Sequence, residues 1–211
     1  MDQARKTIPE NFHQARKIDL QHDQKTLIWL NVLALFCLAA VIVGLFQFVL
    51  HTRPDLPSSG TFSFGGTSLL LAGEAVAVVL VTLILHELIH GLFFRLLVGK
   101  RPRYAVRLSY AYAAMPDWYI PASRYFVIGL APLVLIDLIC LLLIPFVPLG
   151  WVLPLCVAVT MNTGGAVGDL YIVATMLRCR LHTFVNDTGD TVTFFEPDDQ
   201  NPAKTKGSNI E

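Results

Sequence analysis

Four long apolar runs dominate the chain: Leu27 to Leu50, Leu69 to Val98, Tyr125 to Val147 and Trp151 to Leu177. Each is near the ~20 residues that an α-helix needs to cross a ~30 Å hydrocarbon layer. Polar stretches around them divide the chain into an N-terminal segment (1–26), a four-span unit (27–182), a short hairpin region (183–196) and a tail (197–211). The pattern predicts an all-α membrane protein, a bundle of about four transmembrane helices with small β-hairpin elements. The first run begins beyond some two dozen mostly polar residues and is too long for the apolar region of a cleaved signal. It therefore reads as a retained anchor.

Two shorter patterns stand out in the polar stretches. Val106, Leu108, Tyr110 and Tyr112 alternate with Arg107, Ser109 and Ala111, a period of two that favours a strand or short hairpin directly after the second span. Thr183 to Val185 and Thr191 to Phe195 flank Asn186-Asp187-Thr188-Gly189-Asp190, which reads as a second hairpin around an acidic turn. That turn lacks the spacing and closing Glu of an EF-hand. His51 to Thr67, with its Pro, Ser and Gly, reads as an irregular loop, and Pro197 to Glu211 as a disordered end.

Charge adds orientation. Arg5, Lys6, Arg16, Lys17 and Lys25 precede the first span, and Arg53 alone lies between the first two. Lys100, Arg101, Arg103 and Arg107 follow the second span, Pro148-Leu149-Gly150 between the third and fourth is uncharged, and Arg178, Arg180, Lys204 and Lys206 follow the fourth. An excess of basic residues marks cytoplasmic loops, so both termini are expected in the cytoplasm. With 54% hydrophobic and 15% charged residues, the chain does not suit an ordinary soluble domain. Sixteen Lys+Arg against sixteen Asp+Glu leave no net field for nucleic acid, and no nucleic-acid partner is expected. The expected partners are membrane lipids and a membrane-protein or peptide substrate. Cys37, Cys140, Cys156 and Cys179 are scattered through apolar runs and read as packing residues. For Cys179, between Arg178 and Arg180, a reactive or lipidated thiol is the alternative.

The sharpest chemical signal lies inside the second span, Leu85-His86-Glu87-Leu88-Ile89-His90-Gly91. Residues four apart share one face of a helix, so His86 and His90 can reach one zinc ion at about 2.0–2.1 Å each. Glu87, one residue along, falls beside the metal and can take a proton from a water there. A shuffled chain of this composition would contain HExxH roughly 0.4% of the time, so chance is a poor account. Ionisable groups at the centre of a bilayer each cost about 2.5–3.5 kcal/mol, and a bound dication compensates such a cluster.

A catalytic zinc usually takes a third protein ligand, here sought among Glu74, Asp137 and Asp169. At ~1.5 Å per residue, His90 lies about 15 Å from Lys100 and Asp169 about 13.5 Å from Arg178, which matches their depths. Asp137 sits near the same level and stays open on depth alone, whereas Glu74 is three turns from His86 on the same helix. Asp169 is favoured because it follows Asn162-Thr163-Gly164-Gly165-Ala166-Val167-Gly168. Glycines there loosen a helix where a water-filled cavity would satisfy its backbone, although Gly164 and Gly168 also suit close helix packing. Asn162, two turns before Asp169, is the candidate substrate-binding or oxyanion residue, with a plain interhelical hydrogen bond as the alternative.

HExxH in one transmembrane helix, followed by an Asn and an Asp in a later Gly-interrupted one, resembles the site-2 protease class of intramembrane zinc metalloproteases. The small four-span layout, the His-Glu-Leu-Ile-His-Gly run and the late Gly168-Asp169-Leu170 resemble more closely the bacterial putative zincin peptidase family of small integral membrane proteins. The likeness covers about Leu69 to Glu196. It implies Zn2+ held by His86, His90 and Asp169, Glu87 as catalytic base, and a bacterial plasma membrane location. The expected function is hydrolysis of peptide bonds in membrane-associated substrates through a zinc-activated water. A peptide must be extended to be cut, and Arg107 to Tyr112 is the candidate edge for pairing with it. The other reading of that segment is a loop resting on headgroups, with Tyr104, Tyr110, Tyr112, Trp118 and Tyr119 as an aromatic belt. The competing functions are a metal transporter or scaffold without enzymatic activity, and an inactive protease relative.

Overall fold

The computed structural model describes residues 3–19, 22–55, 66–106 and 111–198. In chain order the elements are β1 (Phe12–Asp19), α1 (Gln24–Thr52), α2 (Gly66–Val98), β2 (Arg103–Val106), β3 (Ala111–Pro121), α3 (Ala122–Leu143), α4 (Leu149–Gly165), α5 (Val167–Met176), β4 (Phe184–Asp187) and β5 (Thr191–Pro197). Helix α1 starts where Asp23 accepts hydrogen bonds from the Thr26 backbone N–H at 3.1 Å and the Thr26 hydroxyl at 2.6 Å, satisfying an otherwise orphaned amide. The helix ends against Arg53, whose guanidinium donates to the carbonyls of Ile144 and Val147 beyond α3 at 3.0 and 2.7 Å.

Helices α1, α2 and α3 are each long and apolar enough to cross a membrane. The fourth expected span is two helices, α4 and α5, bent by 42° at their junction. Ala166 ends one and begins the other, inside the glycine-rich stretch where a loosened helix was expected. Helix α3 packs against α2, α4 and α5, while α1 lies on α4 and α5. Gly164 lets α1 approach closely, since a Cβ there would lie 2.7 Å from Leu38. Gly165 and Gly168 have open space around them, so only Gly164 serves tight packing. Large apolar side chains along α1 and α2, such as Phe36 at 70% and Leu70 at 75% exposed, face outward. Such surface is stable only against an apolar medium.

The five strands form one antiparallel sheet in the order β1-β5-β4-β3-β2. They come from the segments before α1, between α2 and α3, and after α5, so these three segments lie at one end of the bundle, as an even number of crossings requires. Both expected hairpins are present, β2–β3 and β4–β5. Residues 107–110 of the expected Arg107 to Tyr112 edge, and 199–211 of the expected tail, lie outside the described residues. The two edges of the sheet are β1 and β2, the latter just before that segment.

The N-terminal segment differs from its reading as a featureless polar stretch. Phe12–Asp19 pairs with β5 over Phe12↔Pro197 to Asp19↔Thr191, and Arg5 bridges to Tyr119 of β3. The stretch Phe-His-Gln-Ala-Arg-Lys-Ile-Asp has almost no alternation of its own, so the partner strand imposes its conformation. Between the sheet and the near ends of α2, α3 and α5 sits a core that includes Phe94, Met115, Ile120, Ile128, Val185 and Phe194. It joins the sheet to α2, α3 and α5.

Gly91 sets the fit between α2 and the β2–β3 hairpin, because a Cβ there would overlap the phenol of Tyr104. Gly91→Leu is expected to push Tyr104 and its hairpin off α2 at a cost of about 1–3 kcal/mol, typical of overpacking. The thermal midpoint of the protein in detergent should fall accordingly, with Gly44→Leu as the control, since the space around Gly44 is empty.

Candidate metal centre

His86 and His90 lie one turn apart on α2, and both are buried at 8% exposure. Their Nδ1 atoms are each held by an oxygen: His86 Nδ1 lies 2.9 Å from Asn162 Oδ1 of α4, and His90 Nδ1 lies 2.9 Å from the Ile128 carbonyl of α3. An oxygen acceptor at Nδ1 draws the ring proton there. The Nε2 lone pair of each neutral ring is then free, and the two Nε2 atoms are 3.2 Å apart.

Asp169 closes the triangle. Its Oδ2 lies 3.1 Å from His86 Nε2 and 3.3 Å from His90 Nε2. The bend at Ala166 is what delivers it, for it places Asp169 in the first turn of a new helix. There the exposed backbone N–H groups favour a negative charge. The three ligand atoms lie within 4.8 Å of one another, and together they could hold a metal ion. The donor set fits zinc: ligand atoms bonded at about 2.0–2.1 Å to a tetrahedral ion are about 3.3–3.4 Å apart, close to the spacings here.

Asn162 is 2% exposed and has both faces engaged. Besides accepting from His86, its Nδ2 donates to Asp137 Oδ1 at 2.8 Å and to the Pro132 carbonyl at 3.3 Å. An oxyanion role would need one of those N–H groups released, so the geometry fits the interhelical alternative and makes Asn162 the orienter of His86. Asp137, the other candidate ligand, instead takes hydrogen bonds from Asn162 and from Thr163 Oγ1, the latter at 2.8 Å. It therefore stands behind Asn162 rather than beside the two Nε2 atoms.

Glu87 follows His86 on α2 and lines the same cavity as the triad and as Ala113 of β3. Glu87, the triad and Asn162 share the wall of a cavity of about 860 Å³. The cavity reaches from Asn31 and Ala34 on α1 to Tyr112 and Ala113 on β3 and to the β4–β5 turn. It is thus bounded partly by apolar helices and partly by the sheet, which gives a peptide room beside the triad. The turn is held by Asp187, which accepts from the Tyr125 hydroxyl at 2.7 Å and the Gly189 N–H at 2.8 Å. Gly189 has φ 90° and lies against the Tyr112 ring, where any Cβ would clash.

The remaining candidates fall elsewhere. His13 pairs with Asp198 and His22 with Asp19, and neither these nor His51 or His182 belongs to the metal-ligating group among the described residues. All four cysteines are free. Burial, with Glu196 nearby, pushes the Cys179 thiol up, the opposite of an activated thiolate. Sequence reasoning missed the Ile128 carbonyl and the Tyr125–Asp187 pair. Backbone groups carry no residue signature, and Tyr125 and Asp187 are 62 positions apart with no spacing that links them.

Comparison with known proteins agrees with this geometry. Residues 79–184, half of the chain, match a family model described as putative zincin peptidase. The match runs from the start of the ligand-bearing half of α2 through the bend and Asp169 to the first residue of β4. No curated protein and no solved structure matches.

Proposed function

Because this chain belongs to the putative zincin peptidase family, we propose that it is an integral membrane zinc metallopeptidase. It would cut peptide bonds of membrane-associated substrates in the manner of the site-2 protease class. The observation that carries this reading is the convergence of two Nε2 atoms and one carboxylate oxygen within 3.1–3.3 Å of one another, beside a glutamate that is not one of them. His86, His90 and Asp169 would hold the ion, and Asn162 and the Ile128 carbonyl keep the rings aimed. Zinc at that point would supply Lewis acidity, lowering the pKa of a water toward ~7 and polarising a scissile carbonyl. Glu87 accepts the proton of the attacking water and returns it to the leaving amine.

The location follows the same logic. Three helices, or four with the bent pair, suit a bilayer. The basic residues cluster before α1, after α2 and after α5, which by the positive-inside tendency supports a cytoplasmic location for the sheet and both termini. A bacterial plasma membrane is the proposed site, on the resemblance to that family.

The test is metal content and its removal. Full-length protein in detergent should contain one zinc per chain by elemental analysis. Stripping it with a chelator should abolish cleavage of an unstructured protein such as casein, and adding zinc back should restore it. Protein that keeps its fold without stoichiometric zinc, or that cuts equally well when stripped, would show the reading to be wrong. Zinc uptake into proteoliposomes without cleavage would favour the transporter, whereas bound zinc with neither activity would leave an inactive relative.

A further inference from the structure

The peptidase reading leaves one buried polar pair in the cavity without a task. Tyr125, on the first turn of α3, is 5% exposed, and Asp187, at the end of β4, is 7% exposed. Both line the same cavity as Glu87 and Asp169. The Tyr125 hydroxyl donates to Asp187 Oδ2 at 2.7 Å, and Asp187 Oδ1 takes the Gly189 N–H at 2.8 Å. A tyrosine carries one hydroxyl proton and two oxygen lone pairs. With that proton committed to a carboxylate, the phenol has none left for a substrate oxyanion. The capacity left to the phenol is that of an acceptor, on a residue that lines the cavity, and among the described residues no donor is bonded to its oxygen.

The position along the site follows from the helices. Phe94 is one turn, about 6 Å of rise, from His90, and its ring packs edge-on against Tyr125 with centroids 6.2 Å apart. An extended peptide advances about 3.3 Å per residue. A chain with its scissile bond at the triad and running along α2 toward Phe94 would pass the phenol about two residues away.

We propose that Tyr125, held by Asp187, is a substrate-binding residue whose oxygen accepts a main-chain N–H of the extended peptide about two residues from the scissile bond. The assignment rests on the peptidase reading above. It gives the β4–β5 hairpin a purpose, since Asp187 fixes both the hairpin turn and the orientation of the phenol. It also makes the site read peptide backbone rather than side chain at that point.

The test uses two peptide hydroxamates, whose head group binds zinc and whose chain lies extended beside it. They differ only in one linkage, two residues from the head group: an amide in one, an ester in the other. Binding to the zinc-loaded full chain in detergent is measured by calorimetry for the unaltered protein and for Tyr125→Phe. The ester should bind the unaltered protein about 3- to 10-fold more weakly, the worth of one hydrogen bond. It should bind Tyr125→Phe as well as the amide does, with zinc content unchanged. A penalty of the same size in both proteins, or in neither, overturns the assignment. Should Tyr125→Phe not fold, Asp187→Asn serves in its place: a weaker acceptor for the phenol proton should shrink the penalty, and a full penalty there also overturns it. Failure of the hydroxamates to bind the zinc-loaded protein, or zinc-independent cleavage, counts against the peptidase reading itself.

Discussion

Glu87→Gln is expected to abolish peptide cleavage while the purified protein retains its full zinc content. The glutamate lies beside the triad, not in it, so its amide isostere preserves the cavity and leaves every ligand atom in place. What it removes is the group proposed to take and return the proton. General acid–base catalysis by one positioned group contributes about 10²- to 10⁴-fold, and cleavage of casein should fall by at least that range. Elemental analysis of the same preparation is the essential companion. Loss of zinc together with activity would make Glu87 a ligand or a structural support, and retained cleavage would remove it from the chemistry.

Asp169→Ala has the opposite signature: zinc and activity disappear together. The two histidines share one helix, but the proposed third ligand atom arrives from α5 across the cavity, and two ligands alone do not close a zinc site. The zinc dissociation constant, measured by competition with a coloured chelator, should rise well beyond the ~10- to 100-fold that loss of a supporting hydrogen bond costs. Asn162→Ala supplies that smaller loss, because it frees His86 to rotate without removing a ligand. Asp137→Asn, two hydrogen bonds removed from the ion, should change affinity less than either. If Asp137→Asn and Asp169→Ala exchanged places in this order, the third ligand would be the α3 carboxylate and the geometry described above would not be the working one.

Part of this was visible in the residues. A spacing of four along an apolar helix is enough to put His86 and His90 on one face, because the helical period is a property of the backbone. The depth of Asp169 relative to His90 follows from counting turns inward from charged helix ends. The long apolar runs likewise announce their helices, since a segment in hydrocarbon must satisfy its own backbone hydrogen bonds. The β4–β5 hairpin showed itself through its turn residues, whereas the alternation from Val106 to Tyr112 falls mostly outside the described residues, between β2 and β3.

Other features depend on contacts between distant residues. Whether Asp169 or Asp137 faces the histidines is decided by the rotation of α5 after the bend at Ala166, and that bend changes the direction of every side chain beyond it. The role of Asn162 turns on its neighbours. Within its own helix it could point to substrate, and only the approach of α2 and α3 engages its amide with His86, Pro132 and Asp137. Strand β1 has a sequence too polar and irregular to announce itself and exists through pairing with β5.

The local pattern of the chain, set by backbone geometry and hydrophobicity, determined the helices, the β4–β5 hairpin and the shared face of the two histidines. The tertiary structure decided which carboxylate completes the triad, which groups steer the imidazoles and what walls the cavity. Those depend on the rotation and packing of elements far apart in sequence, and no local pattern records that information.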